Sequence, residues 1–408
     1  MIVKDCTEII FRNTEEEWMK FKINKMELLL WLVLLPYLKP YNVSLIPALN
    51  SFYNYWKFTV TCVVVFIFVC RRTRLSKSSK WVIGFSGTWS ISMLINNGTL
   101  GDNLQIILSI LGLALTFDII RRDKKCVKYL LKVVSIIAKI YIVLNTITVI
   151  TQNPILAEPE ISYLKFFLGG DNYWGFILIP LCGIMFANDL YLINKCRIST
   201  WIFALIGWFD LLYQFSVSGM IAYGILLFTV LYMNYKIIRD FFNLKNILII
   251  ICVVLVSVVY VNISNILAPF LAMLGKNGFN SREQIWAMAI KAMQSKFILG
   301  YGFLTETQVN SYILYGTDHA HNVLLDPLFF TGIVGTFFYF GWIYHAIKFD
   351  KKKYLKKYVI VLLMTLAILF LNGIFDYYLG LIYIYLLIFT IELAKNVSLQ
   401  KQNSNINI

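Results

Sequence analysis

The stretch YWGFILIPLCGIMFAN, from Tyr173 to Asn188, contains no charged residue. A chain crossing lipid must pair every backbone N–H and C=O internally, which as a helix takes about 20 apolar residues. Eleven more apolar runs flank this one, so twelve candidate spans lie at 26–40, 52–70, 81–98, 104–120, 129–150, 173–188, 199–216, 219–235, 246–264, 323–347, 358–375 and 378–394. Composition agrees, with 59% hydrophobic and 14% charged residues in 408 and a mean hydropathy of +0.69. A soluble chain carries about 25% charged residues, and a soluble fold of this make-up would expose large apolar patches. The expected fold is an all-α polytopic integral membrane protein of about 12 transmembrane helices. Disorder, a disulfide scaffold and a cytosolic enzyme are excluded.

The formal charge of +15 sits mainly in short segments between the spans, which argues against nucleic acid as its partner. Of 37 Lys and Arg, 28 fall on one set of segments and seven on the other. The seven are Lys39, Lys57, Lys165, Lys276, Arg282, Lys291 and Lys296. Positive residues stay in the cytoplasm, so both termini are expected inside. The domain plan is a cytoplasmic segment 1–25, spans one to nine over 26–264, an external loop 265–322, spans ten to twelve over 323–394, and a cytoplasmic tail 395–408. Lys132 and Lys139 fall within span five. Lys132 is expected to snorkel, and Lys139 to face the bundle interior. The seven cysteines form no CxxC pair and none falls in an external loop, so neither a disulfide framework nor zinc is expected. The acidic start, with Asp5, Glu8 and Glu15 to Glu17, does not fit a signal peptide.

The loop 265–322 is far longer than usual connections, and such loops are usually functional or disordered; its Trp, Tyr, Phe and Ile content argues against disorder. Within it, Ser281-Arg-Glu-Gln284 has the form of a capping box. Ile285, Trp286, Ala289, Ile290, Met293 and Phe297 then recur at helical spacing, predicting an amphipathic surface helix of about four turns. Gly300-Tyr301-Gly302 ends it. Gly332 and Gly335, in the following span, allow close helix contact. His319 and His321 stand at the outer boundary beside Asp318. They are either a general base or ordinary loop histidines; a metal is not expected, because no third ligand is evident. Arg282 either solvates a helix face or grips a phosphate or pyrophosphate with its fork. The external acid–base candidates are His319, His321, Asp318, Glu306, Glu283, Asp171, Glu158 and Glu160. His319 is expected to point away from His321 in an extended segment. There is no Asp-x-Asp, P-loop or GxSxG, so any enzyme here works without a nucleotide donor.

Asn280-Ser-Arg282-Glu-Gln-Ile-Trp286, then Ala289, Ala292, Gly300-Tyr-Gly302, His321-Asn322 and Gly332-Ile-Val-Gly335, resembles the signature region of the O-antigen polymerase and O-antigen ligase (Wzy/WaaL-type) superfamily. Gly169 to Asn172 is similar to the family's Gly/Asn-rich entry to its matching span. The resemblance implies a GT-C-like bundle and an inverting, metal-independent glycosyltransferase without cofactor. Its partners would be an undecaprenyl-pyrophosphate-linked glycan, membrane lipid, and a flippase and chain-length regulator of the same pathway. It implies His321 and Arg282 as catalytic, with Lys276, Lys291, Asp318, His319, Asn322, Tyr301, Lys165 and Asn172 as substrate-binding candidates. One departure is Ser218-Gly219, where many members have Ser-Arg; Lys165, Lys276 or Lys291 would have to replace that arginine. A ligase needs a lipid A core acceptor, whereas the Lys-, Asn- and Ile-rich composition suggests a low-GC genome, so a capsule or exopolysaccharide polymerase is favoured. A lipid-linked oligosaccharide flippase, or another secondary transporter, is the alternative from a different class.

The charge split gives a direct test of topology. A reporter fused after Lys353 should read cytoplasmic, and one inserted near Gln308 external; signals from the same side would overturn the arrangement.

Overall fold

The computed structural model describes residues 8–11, 19–22, 24–96, 98, 101–123, 125–151, 166–235, 282–313, 317–348 and 355–404, with a few isolated positions between 241 and 253. The described chain is helical apart from a short antiparallel hairpin, β1 (Glu8–Phe11) and β2 (Met19–Lys22), which pairs Glu8 with Lys22 and Phe11 with Met19. This hairpin departs from the all-α expectation, and it precedes the first apolar run.

The helices in the first half are α1 (Lys25–Tyr37), α2 (Tyr41–Leu45), α3 (Pro47–Cys70), α4 (Lys77–Ile95), α5 (Gly101–Ile120), α6 (Cys126–Thr151), α7 (Asp171–Ile193), α8 (Ile198–Tyr213) and α9 (Val217–Leu231). The rest are α10 (Arg282–Met293), α11 (Glu306–Val309), α12 (Leu325–Ile347), α13 (Lys357–Asn372) and α14 (Ile382–Ser404). Local chemistry sets several starts. Asn24 caps α1 through Met26 N at 2.9 Å, Ser76 caps α4 through Ser79 N, and Pro47 opens α3.

Among the described residues, four helices are long and apolar enough to cross a membrane: Pro47–Cys70, Cys126–Thr151, Asn172–Ile193 and Leu325–Ile347. Leu104–Ile120, Ile198–Tyr213, Val217–Leu231 and Lys357–Asn372 are shorter apolar helices. The chain is a polytopic helical membrane protein. The ninth expected span, 246–264, lies almost wholly outside the described residues. Pro36 and Pro40 break the first span, as its sequence suggests: α1 stops at Tyr37 and Pro40 caps α2. The last span begins four residues later than the apolar run, at Ile382, and stays helical to Ser404 through the expected tail. There Lys395 Nζ donates to the α12 carbonyls of Ala346 and Lys348 at 2.7 and 2.9 Å.

The stretch from Tyr173 to Asn188 forms the centre of the bundle. Along α7, Trp174, Phe176 to Ile179, Leu181, Cys182 and Ile184 to Ala187 are all buried. It packs against α6, α9 and α13, while α12 packs along α4. Lys132 pairs with Glu27 at 2.8 Å, and Lys139 is half-buried over the Phe203 ring at 5.4 Å.

The feature that positions the site is a break in α12. Gly332 has φ +60 and ψ −170, so the helix is interrupted one-third of the way along. The freed backbone groups find partners in residues 297–302. Ile333 N donates to Phe297 O and Val334 N to Ile298 O, while Tyr301 N and Gly302 N donate to Phe329 O and Phe330 O, all at 2.8–3.2 Å. A helix break in lipid is tolerated where neighbouring protein re-satisfies it in this way. The amphipathic helix consequently ends at Met293, a turn earlier than expected, because Phe297 and Ile298 serve the break.

Gly332 therefore has a sharp requirement. Its φ favours glycine, and a Cβ there would lie 2.3 Å from Ile298 O. Gly332→Ala should lower the detergent-solubilised protein's Tm by several degrees, whereas Ala at Gly87, where a Cβ meets nothing within 4 Å, should leave it within about 0.5 kcal/mol of wild type. Equal effects at both positions would remove the special role of the break.

Candidate active site

The connection between α13 and α14, residues 373–381, folds back onto the segment that leads into α12. Val323 N donates to Gly373 O at 2.8 Å, and Asn322 Nδ2 donates to Ile374 O at 2.9 Å. This pairing brings Asp376 against the histidines. Asp376 is 1% exposed, and its carboxylate collects five donors. Oδ1 accepts from His319 Nε2 at 3.0 Å, His321 Nδ1 at 2.9 Å and Tyr377 N at 2.9 Å. Oδ2 accepts from Arg282 Nη2 at 3.1 Å and Tyr378 Oη at 3.3 Å. Arg282, His319 and His321 are thus gathered around one carboxylate that is not among the expected site residues.

The two histidines do not point oppositely. Their ring centroids are 3.8 Å apart, and both rings bond the same oxygen. The expectation assumed an extended segment, but His321 has φ +51, which rotates its side chain to the same side as that of His319. His319 also bonds Asp318 through Nδ1, so both its ring nitrogens face carboxylates.

Charge separates the pair. Burial pushes His319 down, but Asp318, Asp326 and Asp376 overcome it and hold His319 well above the usual histidine range. His321 lies below that range, from burial and then the charge on His319, against the pull of Asp376. Asp376 is pushed up by burial, yet His321, His319 and Arg282 hold it far below the ordinary carboxylate value. Asp318, with its side chain half exposed, is also low despite burial, chiefly through His319. Near neutral pH the arrangement is imidazolium at 319, carboxylate at 376 and neutral imidazole at 321. The carboxylate only accepts, so Nδ1 of His321 carries the proton and Nε2 holds a lone pair. Among the described residues, that Nε2 has no hydrogen-bond partner. Such an imidazole can take a proton.

Beside His319 lies a cavity of about 240 Å³, walled by Trp89, Ile106, Tyr173, Phe303, Asp318, His319, Asp326, Phe330, Tyr378 and Leu379 to Leu381. Tyr173 stacks on Tyr378 with centroids 3.9 Å apart, and Tyr378 in turn meets His319 at 4.4 Å. Asn172, exposed at the start of α7, adjoins Tyr173.

Other expected positions serve the scaffold. Asn322 is buried; its Oδ1 accepts Leu324 N and Leu325 N, so it ties down the entry to α12 instead of facing substrate. Tyr301 is buried on Phe329, and its hydroxyl donates to Ala292 O at 2.8 Å, fixing the glycine turn to α10. Lys291 is exposed, nine residues after Arg282 and so on the opposite face of α10, away from Asp376. Lys165, Lys276 and Ser281 lie outside the described residues. Gly219 packs on Gly175 of α7, where a Cβ would meet Leu211, Ser216 and that glycine within 3.4 Å. A larger side chain there would crowd Leu211 and Ser216. The third ligand that the sequence lacked is present in space, since Asp318, His319 and His321 offer ligand atoms within 4.8 Å of one another that could hold a metal ion.

The O-Antigen ligase family model matches residues 202–340. Over that third of its length, the chain is similar to the O-antigen ligase family. No curated protein and no solved structure matches it. That similarity supports an enzyme of polysaccharide biosynthesis that works on lipid-linked glycans. The O-antigen ligase segment carries Arg282, His319, His321 and the break at Gly332, whereas Asp376 comes from beyond it. Asp376 and Asp326 were legible in one respect, since an ionisable residue in or beside an apolar span is a functional candidate in its own right.

With three histidines in the chain, histidine-labelled protein gives a countable NMR spectrum. His319 should remain protonated well above the ordinary value of about 6.5, and His321 should lose its proton below it. Asp376→Asn removes a negative neighbour, so the pKa of His319 should fall. An unchanged His319 would mean that Asp376 does not hold the pair.

Proposed function

We propose that the chain is a polysaccharide polymerase. It joins oligosaccharide repeat units carried on undecaprenyl pyrophosphate at the outer face of the cytoplasmic membrane. The carrying observation is the His321–Asp376 contact, which directs Nδ1 to the carboxylate and leaves Nε2 as a base.

In the proposed step, His321 Nε2 takes the proton of an acceptor sugar hydroxyl as its oxygen attacks the anomeric carbon of the donor. The anomeric C–O bond to pyrophosphate breaks, and undecaprenyl pyrophosphate leaves with the electron pair. A single displacement of this kind inverts the anomeric centre. A positioned base contributes about 10²–10⁴-fold. One nitrogen of Arg282 is committed to Asp376, which fixes the guanidinium plane. Its remaining donors, at the start of α10, have no partner among the described residues and suit the departing pyrophosphate. Asp376 orients both groups and touches neither reacting atom.

Polymerase is preferred to ligase because the Lys-, Asn- and Ile-rich composition argues against a lipid A core acceptor. A flippase and a chain-length regulator are the partners such a reaction requires. The step is written without a metal because His319 and His321 already direct ring nitrogens at Asp376, the bonds that hold the base in place.

Purified protein given the lipid-linked repeat unit should form a glycan ladder, with chelator present. His321→Ala should abolish it, and His321→Gln should not restore it. The neutral form of His321 is the active one, so the rate should be high above its depressed pKa and fall as pH drops through it, below about 6.5. His319→Gln removes the adjacent positive charge, so the acid limb should move to higher pH. Movement of the glycan across vesicles without new bonds would make the protein a flippase, and a normal ladder from His321→Gln would remove the base.

A further inference from the structure

Among the described residues, two buried side-chain atoms without a hydrogen-bond partner belong to walls of the cavity beside His319. They are Asp326 Oδ2 and Trp89 Nε1. Asp326 is 0% exposed and Trp89 2%. A buried carboxyl oxygen left unpaired is costly, and here it belongs to a residue that walls a cavity together with Trp89, whose indole donor is also unpaired. Asp326 does bind the scaffold, but through its other oxygen, which accepts Ala320 N at 2.7 Å. Oδ2 is not needed for that contact.

We propose that this cavity is a subsite for one sugar ring of the glycan, in which Asp326 Oδ2 accepts a ring hydroxyl and Trp89 Nε1 donates to a ring oxygen. The proposal rests on the glycan-polymerase reading and adds to it the residues that select the sugar. Three properties of the cavity exclude other ligands. An acyl chain would leave both Asp326 and Trp89 unpaired. A phosphate would meet Asp318 and Asp326. A bare cation would gain nothing from the indole N–H. A sugar offers hydroxyls that both donate and accept, together with a C–H face for the aromatic walls, and Phe303 and Tyr378 supply such surfaces. Ligand pockets run to about 300–1,000 Å³, so a cavity of about 240 Å³ takes a single ring, not an oligosaccharide. Its position is also apt. His319 forms part of the wall, and the His319 ring is 3.8 Å from that of His321. A bound ring lies against His319, the neighbour of the base.

Two near-isosteric variants on different helices test this. Asp326→Asn keeps the acceptor for Ala320 N and changes Oδ2 into a donor; Trp89→Phe keeps an aromatic ring and removes the N–H. The probe is the oligosaccharide released from the lipid-linked repeat unit of a strain lacking the protein. It should raise the Tm of the full-length detergent-solubilised wild type and of His321→Ala, but not of either subsite variant. In the ladder assay both variants should raise KM, by about tenfold or more for Asp326→Asn, whereas His321→Ala loses kcat. Wild-type binding and KM in both variants, or no Tm response from the wild type, would overturn the subsite while leaving the polymerase reading to its own assay. A Tm response that depends on Asp326 and Trp89, in a protein that makes no ladder, would end the polymerase reading and keep the subsite.

Discussion

A carboxylate withdrawn from water stays ionised only if donors replace the lost hydration. Asp376 meets that condition with contributions from three segments distant in sequence: Arg282 at the head of α10, the histidines at 319 and 321, and the local Tyr377 N–H and Tyr378 hydroxyl. Arg282 and a protonated His319 bring two positive charges to two carboxylates, those of Asp376 and Asp318. The site is therefore strongly polarised. Taking away one partner would strand the others in a buried space, so the elements that carry them are coupled electrostatically.

Holding Arg282 in place is a backbone problem. Residues 297–302 fill the break in α12, and their hydrogen bonds to Phe329, Phe330, Ile333 and Val334 fix the far end of α10. Tyr301 then ties that turn to Ala292, in the last turn of the same helix. The side chains of Ile285, Trp286, Ala289 and Met293 bury the inner face of α10, which packs along α12. The glycine that interrupts α12 thus sets where α10 ends, and α10 delivers the guanidinium to Asp376. A requirement of lipid, that broken helices be re-satisfied by protein, is met by the segment that also builds the site.

Much of the bundle can be read from apolar runs, because the length of a spanning helix is set by the lipid. Where runs end is less legible. The sequence between 375 and 378 looks like a minimal gap between two spans, yet residues 373–381 make the loop that presents Asp376 and walls the cavity. Hydropathy cannot distinguish a tight turn from a structured one, and the contacts of Asp376 lie 55, 57 and 94 residues away in sequence. Strand-like alternation failed for the histidine pair because one positive φ, at His321, undoes the two-residue period. Helical periodicity does assign Lys291 to the wrong face of α10, so that exclusion was available without coordinates. Asn322 illustrates the reverse: its place beside His321 suggests a substrate contact, but a buried helix entry needs its backbone donors satisfied first.

The same neighbourhood makes the two histidines chemically different. His319 has carboxylates on both nitrogens, so its proton is held from two sides and no lone pair remains for a substrate. His321 shares one of those carboxylates and sits against the resulting positive charge, which lowers its own affinity for a proton. Burial and the charge on His319 together keep His321 neutral, and the shared oxygen selects the tautomer with Nε2 free. Exchanging the residues would not exchange the roles, because the role follows from the number of carboxylates each ring faces. A lone histidine on Asp376 would be drawn towards the imidazolium form, and it would be a base already occupied. Under the proposed reaction, the second histidine is what keeps the first available at neutral pH.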